Sequence, residues 1–139
     1  MKQLLKQLSL TYAAGTLGAL MNSLAVWIFG AAGIAAALGV HIAPPLTKAF
    51  LYPRLVWGGL WGFLFLISWL RHAPLLRGIL FSIPPTLVQL LVVFPYALGK
   101  GFMGLQLGTL TPLFVVLYNA IWGIVAAYLL YLTEDRWER

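Results

Sequence analysis

The sequence predicts an all-α integral membrane protein built as a bundle of four transmembrane helices. The chain has 139 residues, of which 62% are hydrophobic and only 9% are charged. A soluble domain carries roughly 25% charged and about 45–50% apolar residues. The apolar residues form continuous stretches instead of alternating, which argues against transmembrane strands. The same composition argues against a soluble enzyme or a nucleic-acid-binding protein, because the nine basic residues are scattered between apolar runs.

Four stretches are long enough to cross a bilayer. A hydrocarbon core about 30 Å thick requires about 20 apolar residues in a helix. The stretches cover about residues 8–30, 53–70, 76–98 and 109–132, and together they make residues 1–139 a single transmembrane domain. Lys2 and Lys6 precede the first stretch, as in a signal peptide. Its apolar run exceeds the roughly 7–15 residues of such peptides, so we expect a retained helix.

The basic residues predict the orientation of the chain. One side of the predicted membrane holds six of the nine bases: Lys2, Lys6, Arg71, Arg77, Arg136 and Arg139. The other side holds Lys48, Arg54 and Lys100. This asymmetry predicts that both termini are cytoplasmic. The three outer bases could form a basic mouth that attracts anions, or they could be solvated residues at helix ends.

Two connections on the outer side are unusual. Residues 31–40 are apolar and rich in Gly and Ala, and they are followed by Pro44 and Pro45. They could extend the first helix, lie on the interface or re-enter the membrane, and an extension that ends before Pro44 is the favoured interpretation. Residues 99–104 form a Gly-rich connection that we expect to be flexible, and they lack the spacing of a phosphate-binding loop.

Three amide side chains are predicted to share one layer inside the membrane. Asn22, Gln89 and Asn119 each lie roughly 20 Å from the cytoplasmic end of their helix at 1.5 Å per residue. Amides that faced lipid would leave polar groups without partners, so they should face the interior of the bundle. There they could join helices by hydrogen bonds, or they could form a polar constriction or a binding site.

The third stretch is predicted to kink or break at its middle. Ser82, Pro84, Pro85 and Thr86 lie there, and the two prolines remove two N–H donors and crowd earlier carbonyl groups. We expect free carbonyl groups around residues 80–81 and a half-helix that begins near Pro85. Broken helices at membrane depth are tolerated in protein interiors and along cavities, where transporters use them to bind substrates. A kink without a ligand is the plainer alternative.

Small residues predict where helices approach each other closely. Contacts within the bundle or between protomers are expected at Gly15, Gly18, Gly58, Gly59, Gly62, Trp61, Trp122 and Gly123. The tripeptide Leu-Trp-Gly at residues 60–62 is matched by Ile-Trp-Gly at residues 121–123. Both tripeptides lie about ten residues before the end of their stretch. A duplicated helical hairpin would explain this match.

The absence of several residue types narrows the chemistry. The chain has no cysteine, and its three acids, Glu134, Asp135 and Glu138, all lie in the C-terminal tail. The two histidines, His41 and His72, lie in different connections. Acid–base catalysis and an intramembrane proton relay both need groups that the predicted helices lack. We therefore expect no catalytic residue, no metal site and no cofactor.

Sequence motifs give two resemblances to known families. Trp-Gly-Gly-Leu-Trp-Gly at 57–62, Val-Phe-Pro at 93–95 and Asn-Ala-Ile-Trp-Gly at 119–123 resemble the YagU-like group of small bacterial inner-membrane proteins. That resemblance implies a bacterial four-helix inner-membrane protein and carries over no catalytic residue. Gly-Thr-Leu-Gly at 15–18 with Asn22 and Ser23 is similar to the second helix of small fluoride channels. The Thr-rich break and the Phe motif of those channels have no counterpart here.

Two functional hypotheses follow from the sequence. The first is a non-enzymatic membrane protein, alone or as a homo-oligomer, that binds or passively passes a small neutral or anionic solute at the amide layer. The second is an accessory or assembly subunit that uses its small-residue faces to bind a membrane-protein partner. The lipid bilayer is the common partner in both, and neither involves nucleic acid.

Overall fold

The secondary structure of the described residues is entirely helical, and irregular connections join the helices. The computed structural model describes residues 1–137, with side chains as far as Thr133, and shows no strand in this range. The tail acids Glu134, Asp135 and Glu138 and the bases Arg136 and Arg139 therefore have side chains outside the described residues. The α-helices are α1 (Lys2–Ala31), α2 (Ile34–Ala37), α3 (Lys48–Trp61), α4 (Pro74–Phe81), α5 (Ile83–Val88) and α6 (Thr111–Trp137).

Four helical segments are long and apolar enough to cross a membrane, which confirms the expected number. They are Lys2–Ala31, Lys48–Leu66, Pro74–Ala97 and Thr111–Thr133, and we call them spans 1 to 4. Span 2 departs most from the predicted range of 53–70. It begins at Lys48 because Thr47 caps the helix, where its hydroxyl accepts a hydrogen bond from the Phe50 N–H at 3.2 Å. It ends in a 3₁₀ segment, Gly62–Leu66.

The connection after span 1 is not the expected helix extension. Helix α1 ends at Ala31, and Gly33 then takes a left-handed conformation with φ of 81°, which favours glycine. The short helix α2 follows, and the chain is irregular from there to Lys48. Ala35 and Val40 of this connection are buried against Val26 and aromatic residues of α6. The connection therefore covers one end of the bundle.

Span 3 is broken, as predicted, but the break differs in detail. Helix α4 ends at Phe81, and α5 begins at Ile83, with Ser82 between them. The two prolines occupy the first turn of α5, where a missing N–H costs least. The π-helical segment Gln89–Ala97, which contains Pro95, then completes the span. The sequence analysis did not predict this wider winding.

The Gly-rich connection after span 3 contains short helical turns. The segment Phe102–Leu107 is kinked at Met103 and Gly104, which both have positive φ, and the Gln106 N–H donates to the Lys100 carbonyl at 3.1 Å. Gly104 has a φ of 70°, and a Cβ placed there would lie 2.7 Å from the Phe94 ring. The turn packs against the end of span 3 and lies beside the connection that contains α2, since the His41 N–H donates to the Leu107 carbonyl.

Spans 1 and 4 form the middle pair of the bundle. Helix α1 packs along both α3 and α6, and α6 packs on its other side against α4. Several predicted packing residues lie at these contacts. A Cβ on Gly15 would lie 2.8 Å from the Gly62 Cα, and a Cβ on Gly18 would lie 3.0 Å from the Trp122 ring. Backbones therefore approach as closely as only glycine permits.

Two further packing residues join the helices by different means. The indole N–H of Trp122 is shared between the Gly15 carbonyl at 3.1 Å and the Gly58 carbonyl at 3.3 Å, which links α6 to both α1 and α3. A Cβ on Gly59 would lie 2.7 Å from the ring of Tyr12. Trp61, by contrast, is only half-buried.

Candidate functional site: a polar cluster around Arg54

Six polar side chains from four spans meet inside the bundle. We call them the polar cluster: Asn22 and Ser23 of α1, Arg54 of α3, Thr86 of α5, Gln89 at the start of the π segment, and Asn119 of α6. The three amides that were predicted to share a layer are thus brought together. Asn119 is the member that connects the other two.

Asn119 and Asn22 form the hydrogen-bonded centre of the cluster. The Asn119 amide nitrogen donates to the Thr86 hydroxyl at 3.0 Å and to the Gln89 side-chain oxygen at 3.2 Å. The Asn22 nitrogen donates to the Tyr118 carbonyl at 2.6 Å and makes a longer contact of 3.4 Å with the Asn119 oxygen. These bonds join spans 1, 3 and 4. No direct hydrogen bond between Asn22 and Gln89 is found.

Arg54 is the residue whose position the sequence analysis missed. It was assigned to an outer basic mouth with Lys48 and Lys100, yet its side chain points into the bundle. Its Nε donates to the Ser23 hydroxyl at 2.9 Å, and its Nη2 donates to the Asn22 oxygen. The other two bases are exposed and line neither of the two cavities described below. Of these three bases, Arg54 alone lines either of these cavities.

The guanidinium of Arg54 donates its hydrogen bonds to neutral oxygen atoms. Residues 1–133 contain no Asp or Glu, so no carboxylate can pair with it from within the spans. The guanidinium also lies over the Phe50 ring, with its central carbon 5.0 Å from the ring centroid. Its Nη1 donates to no atom in the part of the chain that the structure describes. A cation inside a low-dielectric bundle without a counter-ion is costly, and intramembrane charges commonly mark functional sites.

Two cavities meet at the polar cluster. The first, which we call the loop-side cavity, has a volume of about 440 Å³ and lies beneath the connection at residues 41–44. The second, which we call the interhelical cleft, has a volume of about 360 Å³ and is lined by residues of all four spans. Arg54, Gln89 and Asn119 line both. Volumes in this range are typical of small-molecule sites, which measure about 300–1,000 Å³.

The loop-side cavity contains a second unusual polar group. Tyr118 lines it, and the Tyr118 hydroxyl is buried without a hydrogen-bond partner in the described part of the chain. The Tyr118 side chain is only 4% exposed. Buried polar atoms without partners are rare in proteins and often mark a place where water or a ligand binds. A hydroxyl can donate to an anion, as the free nitrogen of Arg54 can.

The other residues around the predicted break serve the backbone. The Ser82 hydroxyl donates to the Ile79 carbonyl at 2.6 Å, and the Thr86 hydroxyl donates to the Ser82 carbonyl at 2.7 Å. Pro85 lines the interhelical cleft, but Pro84 lines neither cavity. The side chains at the break thus satisfy local carbonyl groups, and only Thr86 also belongs to the polar cluster.

A second arginine is buried at the opposite end of the bundle. Arg77 is 1% exposed and donates from Nη2 to the Phe65 carbonyl at 2.9 Å and the Ile67 carbonyl at 3.0 Å. These carbonyls lie at the end of span 2, where helical carbonyl groups lack partners within the helix, and the Ile67 carbonyl also accepts from the Trp69 N–H at 2.9 Å. The guanidinium also lies over the rings of Phe65 and Phe81. Arg77 therefore completes a helix terminus, and we assign it no ligand.

Metal binding has no support within residues 1–133, where no group of three or more His, Cys, Asp or Glu side chains is found. His41 lines the loop-side cavity as a single residue. Comparison with protein-family models, with curated proteins and with solved structures finds no match to this chain. What the protein does has to be inferred from the geometry of the polar cluster.

Proposed function

We propose that this protein is a multi-pass membrane protein that binds a small anionic solute at Arg54. The single observation that carries the proposal is an arginine inside the bundle that lines two cavities, keeps one nitrogen without an acceptor and has no carboxylate near it in residues 1–133. The surrounding amides and hydroxyls orient the guanidinium without cancelling its charge. An anion would supply the missing counter-charge, and no chemical step is required of the protein.

The shape of the site supports binding more than open passage. On the side toward the chain termini, Trp122, Ala126, Ala127 and Leu130 are all almost fully buried. The contact between Gly15 and Gly62 closes the same region. A solute that enters the loop-side cavity would therefore stop at the polar cluster in this conformation. We propose a binding protein, for which transport would require a change of conformation.

The membrane topology is part of the proposal. The distribution of basic residues favours cytoplasmic termini, and it places the loop-side cavity on the outer face. The resemblance to YagU-like proteins favours a bacterial inner membrane. The small residues that suggested a partner surface are used within the chain at Gly15, Gly18 and Gly62, so they no longer favour an accessory subunit or a homo-oligomer.

A duplicated hairpin is consistent with the glycine contacts. Gly62 of span 2 lies against Gly15 of span 1. Gly123 of span 4 lies against Gly78 of span 3 in the same manner, with a Cβ on Gly123 2.9 Å from the Gly78 carbonyl carbon. The two matched tripeptides thus end on glycines with corresponding roles, and this supports a duplication of two helices.

Anion-dependent stabilisation of the purified full-length protein tests the proposal. A ligand that binds only the folded state stabilises it by about 2.7 kcal/mol at a concentration of 100 times its Kd. Sodium salts of chloride, nitrate, acetate and phosphate would be compared at constant ionic strength by thermal unfolding in detergent. At least one anion should raise the Tm of the wild-type protein and of Lys48→Gln, but not that of Arg54→Gln.

Lys48→Gln is the matched control because it removes the same charge from an exposed position of the same helix. Equal shifts in both variants would show a non-specific salt effect. No shift with any of the four anions in the wild-type protein would also count against the proposal.

A further inference from the structure

The interhelical cleft joins an apolar wall to the charged end of the polar cluster. Its apolar lining includes Trp57, Trp61, Val88 and Val93. The same cleft is also lined by the polar side chains of Asn22, Arg54, Gln89 and Asn119. A cavity with both a charged group and an apolar wall matches an amphiphile better than a simple inorganic ion.

The cleft opens sideways, between spans 2 and 3. Helix α3 packs along α1, and it makes no comparable contact with α5 or with the π segment in the described chain. Trp57 at the rim is 62% exposed, and Leu91 and Val92 of the facing segment are also exposed. In a bilayer this opening would face lipid, so a molecule dissolved among the acyl chains could enter without crossing water.

The donors at the charged end suit a carboxylate. Arg54 and Gln89 both line the cleft, and the Arg54 Nη1 and the Gln89 amide nitrogen donate to no atom of the described chain. A carboxylate has two oxygen atoms that only accept hydrogen bonds, and charged pairs with arginine are the stronger ones. A volume of about 360 Å³ lies at the lower end of the range for small-molecule pockets, which suits one acyl chain better than two.

We infer that the anion bound at Arg54 is the carboxylate of a single-chain amphiphile, a fatty acid, whose chain lies in the interhelical cleft. This inference rests on the proposed function and names the ligand class for the same site. Because lipid tails are as apolar as the cleft, moving the chain from the bilayer gains little. Selectivity must then come from the charged headgroup, so binding should depend on Arg54.

Quenching of tryptophan fluorescence tests this inference, since Trp57 and Trp61 line the cleft. The full-length protein in neutral detergent micelles would be titrated with dibrominated stearate and, separately, with its methyl ester. The acid should quench a saturable fraction of the fluorescence, and the ester should give only linear quenching from partition into micelles. Trp57→Phe should lose only part of the saturable quenching, because Trp61 and Trp122 also line the cleft, and Trp27→Phe, which changes a residue outside the cleft, should retain all of it.

A competition experiment distinguishes binding of an amphiphile from binding of a free anion at the same site. Unlabelled stearate should reverse the saturable quenching at least 100-fold more effectively, by concentration, than acetate. Arg54→Gln should abolish it and Lys48→Gln should preserve it. If Arg54→Gln does not fold, the difference in quenching between the acid and the ester in the wild-type protein still tests the inference.

Each opposing outcome has a distinct meaning. Equal quenching by the acid and the ester would overturn the inference, because the headgroup would then play no part. Competition by acetate as strong as by stearate would also overturn it, yet would leave the anion site of the proposed function intact. If no anion of either kind changes the thermal stability or the fluorescence, both proposals fail.

Discussion

Replacing Asn119 with leucine should destabilise the protein by an amount that its hydrogen bonds predict. The Asn119 nitrogen makes two bonds between helices, to Thr86 at 3.0 Å and to Gln89 at 3.2 Å. Such bonds in membrane proteins average about 0.6 kcal/mol and reach about 1.7 kcal/mol. Asn119→Leu should therefore lower the free energy of unfolding by about 1–2 kcal/mol. The two side chains are similar in size, so little is lost to packing.

A double-mutant cycle measures the energy of the hydrogen bond between Asn119 and Thr86 separately from the other effects of the substitutions. Asn119→Leu, Thr86→Val and the double variant would be compared by reversible unfolding in mixed micelles. The coupling energy should be about 0.6 kcal/mol, because the hydroxyl of Thr86 accepts directly from Asn119. A parallel cycle with Asn22→Leu and Gln89→Leu should give a coupling near zero, since no direct bond joins them.

Comparison of the coupling energies from the two cycles tests the hydrogen-bond network around Asn119. A larger coupling for Asn22 with Gln89 than for Asn119 with Thr86 would refute the network described above. It would mean that the amides bond each other directly and that Asn119 does not link them. Equal losses in all single variants without coupling would instead point to packing as the cause.

Four other substitutions test different parts of the structure. Tyr118→Phe should leave the free energy of unfolding unchanged or raise it, because the hydroxyl is buried without a partner, yet it should weaken the anion-dependent rise in Tm. Asn22→Asp should abolish that rise by placing a carboxylate against Arg54, as the same thermal assay would show. Arg77→Met should lower the free energy of unfolding by about 2–4 kcal/mol, measured in micelles, because two carbonyl groups lose a charged donor. Gly123→Val should lower it by about 1–3 kcal/mol in the same measurement, since its Cβ would clash with the backbone of the facing helix.

The number of spans and the depth of the amides could be predicted from the sequence because both depend on simple regularities. Hydropathy over about 20 residues finds helices that can cross a bilayer. A fixed rise of 1.5 Å per residue then places Asn22, Gln89 and Asn119 at one level. Depth alone does not give the rotation of a helix, so it could not show that Asn119 connects the other two amides.

The position of Arg54 was missed for a reason that can be traced to one helix start. A predicted start at Pro53 puts Arg54 at the end of the helix, where a basic side chain reaches water. The observed start at Lys48 places Arg54 about 9 Å from the beginning of the helix. Thr47 was the available signal, because Ser and Thr are preferred at the N-cap.

The π segment and the turn at Phe102–Leu107 could not be predicted in the same way. Pro95 indicates a disturbed helix, but the sequence does not say whether the backbone kinks, ends or widens. The turn at Phe102–Leu107 depends on Gly104 lying against Phe94, which is a tertiary contact. Both features surround the loop-side cavity, so the shape of this cavity is the part of the site least visible in the sequence.

Helical periodicity connects the packing of α3 to the chemistry of the site. Arg54, Gly58 and Gly62 are spaced by four residues, so they lie along one face of span 2. Gly58 and Gly62 bring that face against α1, and the same contact therefore directs Arg54 toward Asn22 and Ser23. The contact that packs span 2 against α1 therefore also positions the charge of Arg54. A bulky residue at Gly58 would separate the two helices and withdraw the guanidinium from its oxygen partners, so the glycine pair positions the anion site as well as stabilising the bundle.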